Sequence, residues 1–192
     1  MGSSLICYAY QYSFTNYKNQ DLHLEPHNIS IRWFGKKGMV WEDVEPGFRD
    51  LVQQFGYPDV LMIHCGGNSI GTMSLRRLQK YMKLTVANIH SMRPNCRIIW
   101  SQILPRTYYR HMFSHIAAEK ARVRINSSMS NFVIARNGGY INYPDLQKCN
   151  SNLYPDGTHL SDCAQTLFLN GIQSGLYKIL LENLDTFPPL HS

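Results

Sequence analysis

Asp156 and His159 stand three residues apart in NLYPDGTHLSD (residues 152–162), with Gly157 and Thr158 between them. A carboxylate three residues ahead of an imidazole on one short turn can accept the Nδ1–H bond. That fixes the ring's tautomer and leaves Nε2 free as a general base. The pair makes two parts of a three-part hydrolytic group and asks for a nucleophile elsewhere in the chain. The same residues also have an unreactive reading, because Asp and Gly make turns and Asp caps helices. Spacing alone does not choose between the two.

Two further loops carry chemistry-bearing residues. In HCGGNSIG (residues 64–71), Gly66 and Gly67 let the backbone turn tightly and approach a ligand, and Asn68 presents an amide NH₂ suited to an oxyanion. A plain glycine turn with a left-handed Asn fits that stretch as well. In FGKKGMVWED (residues 34–43), the glycines Gly35 and Gly38 can aim backbone N–H groups into a nearby space, while Lys36 and Lys37 are expected in solvent.

The elements that must hold these loops alternate in type. ISIRWF (Ile29–Phe34), VLMIHC (Val60–Cys65), RIIWSQIL (Arg97–Leu104) and GYINYP (Gly139–Pro144) read as strands, and the second is a continuous apolar run expected to be buried on both faces. Glu42–Phe55, Ser74–Met92, His115–Ala135 and Asp162–Leu181 carry apolar residues at helical spacing, with Ser74 and Ser161 as caps. Strand–helix alternation predicts an α/β fold, a three-layer α/β/α sandwich around a mostly parallel sheet. Such a sheet binds ligands at the carboxyl ends of its strands, so the loops above and LPRTYYR (residues 104–110) are expected to assemble one site there. A single domain over residues 1–184 is expected, with a disordered tail over 185–192.

The 192 residues are 44% hydrophobic and 17% charged, the composition of a globular domain. Nineteen Lys and Arg against thirteen Asp and Glu give a net charge of +6. That charge suits weak contact with nucleic acid or another acidic surface, but the basic residues are dispersed, as on a solvated face. The five cysteines, an odd number, lack zinc or disulfide spacing, which predicts reduced thiols and a cytoplasmic setting. Neither a signal peptide nor a membrane-spanning run is expected.

Taken in order, MGSSLICYA, RWFGKKGMVWED, the GGNS of residues 66–69 and DGTHLS resemble the four blocks of the SGNH, or GDSL, hydrolase superfamily. The resemblance spans almost the whole chain. Its wording is most similar to the esterase-like domains of vertebrate retrotransposon ORF1 proteins and their host relatives. It implies a serine esterase acting on a small acyl-ester or lipid substrate, with acetyl-type chains, and no metal or organic cofactor. It implies Ser4 as nucleophile, His159 as base and Asp156 as its orienter. The oxyanion hole would come from the Ser4 and Gly38 backbone N–H groups and the Asn68 side chain. The alternative is an inactive module of the same fold that self-associates or binds nucleic acid.

The sequence departs from the pattern in three places. Ser3 stands where the family has Asp before the nucleophile, and Ser69 where Asp commonly follows the Asn. Only Met1 to Ser3 precede Ser4, where the family has a buried strand. With that first strand missing, Ser4 is expected on a frayed end.

Overall fold

The computed structural model describes residues 1–189. Four strands, β1 (Val60–Ile63), β2 (Arg97–Ser101), β3 (Gly139–Ile141) and β4 (Thr186–Phe187), form a sheet in the order β1-β2-β3-β4, and every pairing is parallel. Five helices flank it: α1 (Ser4–Thr15), α2 (Val44–Phe55), α3 (Leu75–Met92), α4 (His115–Ile134) and α5 (Asp162–Leu181).

The period of two along each strand divides the core. Leu61, Ile63, Ile98, Trp100 and Tyr140 point to one face, where α2, α3 and α4 pack. Val60, Met62, Ile99 and Ile141 point to the other, covered by α1 and α5. Fully burying side chains such as Phe48 and Phe168 contributes roughly 1.5–3 kcal/mol each. Trp41 and Trp100 lie 5.9 Å apart on the first face, and each indole N–H finds an acceptor there, Thr85 and Asn126 respectively. Serines cap three helices: Ser74 accepts from the Arg77 N–H, Ser114 from Ala117 and Ser161 from Ala164.

Several expectations are corrected. Strands β1, β2 and β3 stop at Ile63, Ser101 and Ile141, short of the predicted ends, because the chain turns away into the loops that carry the polar residues. The segment Ile29–Phe34 is extended but is not a strand. Among the described residues its pairing is confined to the main-chain bonds of Gly2 around Gly35. Residues 186–187, expected to be disordered, add β4 to the sheet edge, while residues 190–192 of that expected tail lie outside the described residues.

The chain start is also not frayed. Met1, Gly2 and Ser3 are buried. The Met1 amine donates to the Met62 carbonyl at 2.9 Å, and the His64 N–H donates to the Met1 carbonyl at 2.9 Å. On the other side Gly2 N–H donates to Phe34 O at 2.9 Å, and Lys36 N–H to Gly2 O at 3.0 Å. The two residues thus form a short central rung between Phe34–Lys36 and β1. Across the sheet, the chain order reverses at this rung, which is where open α/β sheets gather their ligands.

Candidate active site

Ser4 is the first residue of α1, directly after the Met1–Gly2 rung. The rung fixes where it sits, and the helix start leaves first-turn N–H groups unpaired with a partial positive charge. His159 Nε2 lies 3.1 Å from Ser4 Oγ, although 155 residues separate them. His159 Nδ1 lies 2.6 Å from Asp156 Oδ2. An ionised carboxylate only accepts, so Nδ1 carries the hydrogen and Nε2 is left to accept from Ser4.

The turn that holds this pair is built by Asp156 itself. Its Oδ1 accepts the Thr158 N–H at 2.8 Å and the His159 N–H at 2.6 Å. Partial burial disfavours the charged carboxylate, but those two backbone bonds and the imidazole outweigh it and hold Asp156 at about 2. Gly157 adopts φ +75° and packs so tightly that a Cβ there would lie 1.8 Å from Thr107 Oγ1. Only glycine suits both demands.

Asn68 sits on a single 3-10 turn, Gly67–Ser69, just after β1. Its Oδ1 accepts from Arg106 Nη1 at 2.9 Å, and its Nδ2 donates to the Met39 carbonyl at 3.0 Å. The guanidinium is buried at 8% exposure, and Gly67 makes room for it, since a Cβ would lie 2.5 Å from Nη2. The amide is therefore locked in one orientation, with one of its two N–H bonds uncommitted. Ser69 Oγ accepts the Trp41 N–H at 2.7 Å and so ties the Asn68 loop to Trp41. Gly38 lies on the exposed turn between Lys36, paired to Gly2, and Met39, bonded to Asn68.

Three residues were not singled out from the sequence for this site. Arg106 orients Asn68. The next residue, Thr107, donates its N–H to the Gly157 carbonyl at 2.8 Å. One dipeptide therefore ties the Asn68 loop to the Asp156–His159 turn. It is anchored in turn by α4, where Asn126 and Arg122 both donate to the Ile103 carbonyl. The third is Tyr8, one helical turn after Ser4, whose ring meets the His159 ring edge-on at 5.1 Å while the Lys37 ammonium lies 5.0 Å from its centre. Helical spacing from Ser4 could have flagged Tyr8. In the aromatic run after Arg106, Tyr109 is buried against Glu119, whereas Tyr108 and Phe113 are exposed.

The site is shallow. The His159 and Asp156 side chains are 37% and 56% exposed. A recess of about 420 Å³ adjoins them, lined by Tyr8, Gln11, Tyr12 and Gln165 among others. Among the described residues no cluster of His, Cys, Asp and Glu has the makings of a metal centre. The five cysteines are free thiols, and among the described residues no helix is long and apolar enough to cross a membrane.

No protein-family model matches the chain, and no curated protein matches its sequence. Solved structures do match. A candidate acylhydrolase from Bacteroides fragilis aligns with TM-score 0.72 and 17% identity over 94% of this chain and 86% of its own. A GDSL-like lipase from Bacteroides thetaiotaomicron aligns at 0.69 and 16%, over 94% and 87%. A psychrotrophic esterase from Pseudoalteromonas, solved with monoethylphosphonate as inhibitor, aligns at 0.61 and 17%, over 84% and 86%. At these identities the likeness is one of fold, and the chain has the α/β fold of the GDSL acylhydrolases, a parallel sheet flanked by helices.

Proposed function

We propose that the chain is a serine ester hydrolase acting on small acyl esters of the acetyl type. The observation that carries this reading is the unbroken line from Asp156 Oδ2 through His159 to Ser4 Oγ, with gaps of 2.6 and 3.1 Å, ending at a helix N-terminus. Ser4 Oγ attacks the ester carbonyl as its proton passes to His159 Nε2. Asp156 stabilises the imidazolium and keeps its own charge. The oxyanion forms against the Ser4 and Gly38 N–H groups and the free Asn68 N–H, near the buried Arg106 cation. Collapse expels the alkoxide, which takes the proton from Nε2 and leaves acyl-Ser4. Water, deprotonated by the same nitrogen, then releases the acid and restores Ser4.

The shallow recess and exposed His159 favour short acyl groups on a bulky or flat carrier. Among the fold relatives is an acetyl-xylooligosaccharide esterase from Geobacillus, aligned at TM-score 0.62 and 12% identity, whose name fits that substrate class. The narrower likeness to retrotransposon ORF1 esterase domains, carried by wording such as DGTHLSD, belongs to the same reading.

A second reading has an observation of its own. The Asp156 bonds to Thr158 and His159 shape the turn whether or not catalysis occurs, so an inactive module that self-associates or binds nucleic acid through its basic surface would keep them. Hydrolysis of nitrophenyl acetate, with phosphonate labelling read by peptide mass spectrometry, separates the two. The esterase reading expects the label on Ser4, and Ser4→Ala and His159→Ala should each remove most of the rate. The double variant should be little worse than either single one. A rate unchanged by both substitutions favours the module.

A further inference from the structure

The basic residues are dispersed in sequence, but their charge is not evenly shared along the chain. Between Asp59 and Asp145 stand twelve Lys and Arg against one acid, Glu119, while the rest of the chain holds seven against twelve. That middle stretch comprises α3, α4 and the strands and loops that join them. Glu119 is already engaged by Arg122 and Tyr109. Among the described residues every other ion pair lies outside this stretch, so no other cation in it has a carboxylate partner. The fold gathers these cations. Strands β1, β2 and β3 are parallel and α3 and α4 are the crossovers between them, so the two helices run side by side, in one direction, over one face of the sheet. Gln79 Nε2 donates to the Arg124 carbonyl at 3.0 Å and pins them together. Arg76, Lys80 and Lys83 follow one another at helical spacing along α3, as Lys120 and Arg124 do along α4. The Lys83 ammonium and the Arg136 guanidinium approach a single ring, Phe132, at 5.7 and 3.8 Å. The acids of α2 meet α3 on another flank, where Glu45 accepts from Asn88. Like charges held together on an outer surface attract an anionic partner.

Apolar side chains share this face. Ile116, Lys120 and Val123 recur at four- and three-residue steps and form one outward stripe along α4, with Phe113 just ahead of it. Phe113 is fully exposed, and Ile116 and Val123 are 69% and 55% exposed. An exposed apolar stripe flanked by cations matches the boundary of a bilayer, where apolar side chains enter the acyl region and Lys and Arg meet the headgroups. Nucleic acid satisfies the cations alone, because aliphatic Ile116 and Val123 neither pair with phosphates nor stack on bases. We propose that the α3–α4 face docks this protein on an anionic lipid bilayer. Lys120 lies within the apolar stripe, and its long stem lets the ammonium reach the headgroups while the stripe enters the membrane. The face begins beside the catalytic edge: His115, the first residue of α4, lies with Nε2 2.9 Å from the carbonyl of Arg106, whose guanidinium holds Asn68. Docking there brings that edge close to the headgroup plane.

Docking is independent of the catalytic reading, and co-sedimentation of the whole chain with vesicles tests it. One set of vesicles is phosphatidylcholine alone, and the other contains about one-third phosphatidylserine. Binding is expected to the second and not to the first, and it should weaken as salt rises. Each cation near such a surface contributes roughly fivefold in affinity, so Lys80→Glu combined with Lys120→Glu should weaken binding at least about tenfold. Phe113→Ser combined with Ile116→Ser leaves the charge intact and should weaken it at least about fivefold. Both double variants should keep the melting temperature and the nitrophenyl acetate rate of the parent chain. Absence of binding to the anionic vesicles overturns the proposal. Vesicle binding that survives either pair of substitutions overturns it as well. A chain that ignores vesicles but binds a single-stranded oligouridylate, and loses it on Lys80→Glu with Lys120→Glu alone, reassigns the face to nucleic acid.

Discussion

Asn68 has two amide hydrogens, and Met39 takes one of them. The other is available only because Arg106 holds the carbonyl end of the same group. Arg106 is in this view a positioning residue. Replacing it with Met should raise the barrier by about 2 kcal/mol, the scale of a charged hydrogen bond, and lower kcat roughly thirtyfold with KM little changed. Asn68→Ala should cost roughly 2.7–4 kcal/mol, the scale of one lost oxyanion donor. If the two act through one amide, the double variant should match Asn68→Ala alone. Additive losses in steady-state kinetics would show that Arg106 works separately. Asn68, Asp156 and His159 were legible in the sequence because the spacing of each within its own loop carries the signal. Arg106 and Thr107 were not, because their significance lies in partners 38 and 50 residues away.

At the scale of elements, the turn carrying Asp156 and His159 depends on the fit of Gly157 against Thr107. Gly157→Ala adds a methyl where Thr107 Oγ1 already lies and forces a non-glycine residue into positive φ. A destabilisation of about 1–3 kcal/mol is expected, seen as a lower urea midpoint. Thr107→Ala in the same chain should recover the packing part and leave the backbone part, so partial rescue is the expected result. Helices α2 to α5 and strands β1 to β3 were legible because their apolar periods matched their burial. Helix α1 was missed. Its buried residues Leu5, Ile6, Ala9 and Ser13 do lie on one face, but tyrosines and exposed Phe14 blur the pattern. Ile29–Phe34 had a strand's residues, but among the described residues it pairs only around Gly2, and pairing is set outside the segment itself.

For the molecule as a whole, acid is the condition that separates stability from catalysis. His64, at the end of β1, is buried between the two layers, with Nδ1 2.9 Å from Ser101 Oγ, which in turn lies 2.6 Å from Tyr143 Oη. Burial, with the Arg106 and Met1 charges adding to it, lowers its pKa from 6.5 to about 3. The unfolded chain therefore takes up a proton near 6.5 that the folded chain refuses until about 3. Between those values stability falls as pH falls, by up to about 1.4 kcal/mol per unit. Urea melts at pH 7 and 4.5 should show the loss, and His64→Gln should flatten the slope. Asp156, held at about 2, stays ionised throughout that window. Loss of hydrolysis in that window, in protein that is still folded, therefore does not come from loss of the Asp156 charge.

The paired indoles of Trp41 and Trp100 give this molecule a built-in optical reporter. Their rings lie 5.9 Å apart at 53°, both dry and both fixed by a hydrogen bond. Two chromophores so close and so rigid share their excitation and should give a strong near-ultraviolet dichroic band. Trp33, the third tryptophan, is partly exposed beside the extended segment and bonded to Gln20, so its emission lies to the red. The backbone N–H of Trp41 is also the donor to Ser69, next to Asn68. Loss of the band during a melt therefore times the loosening of the α2–α3–α4 layer and its loop, and the emission shift of Trp33 times the opposite edge, both from one unlabelled sample.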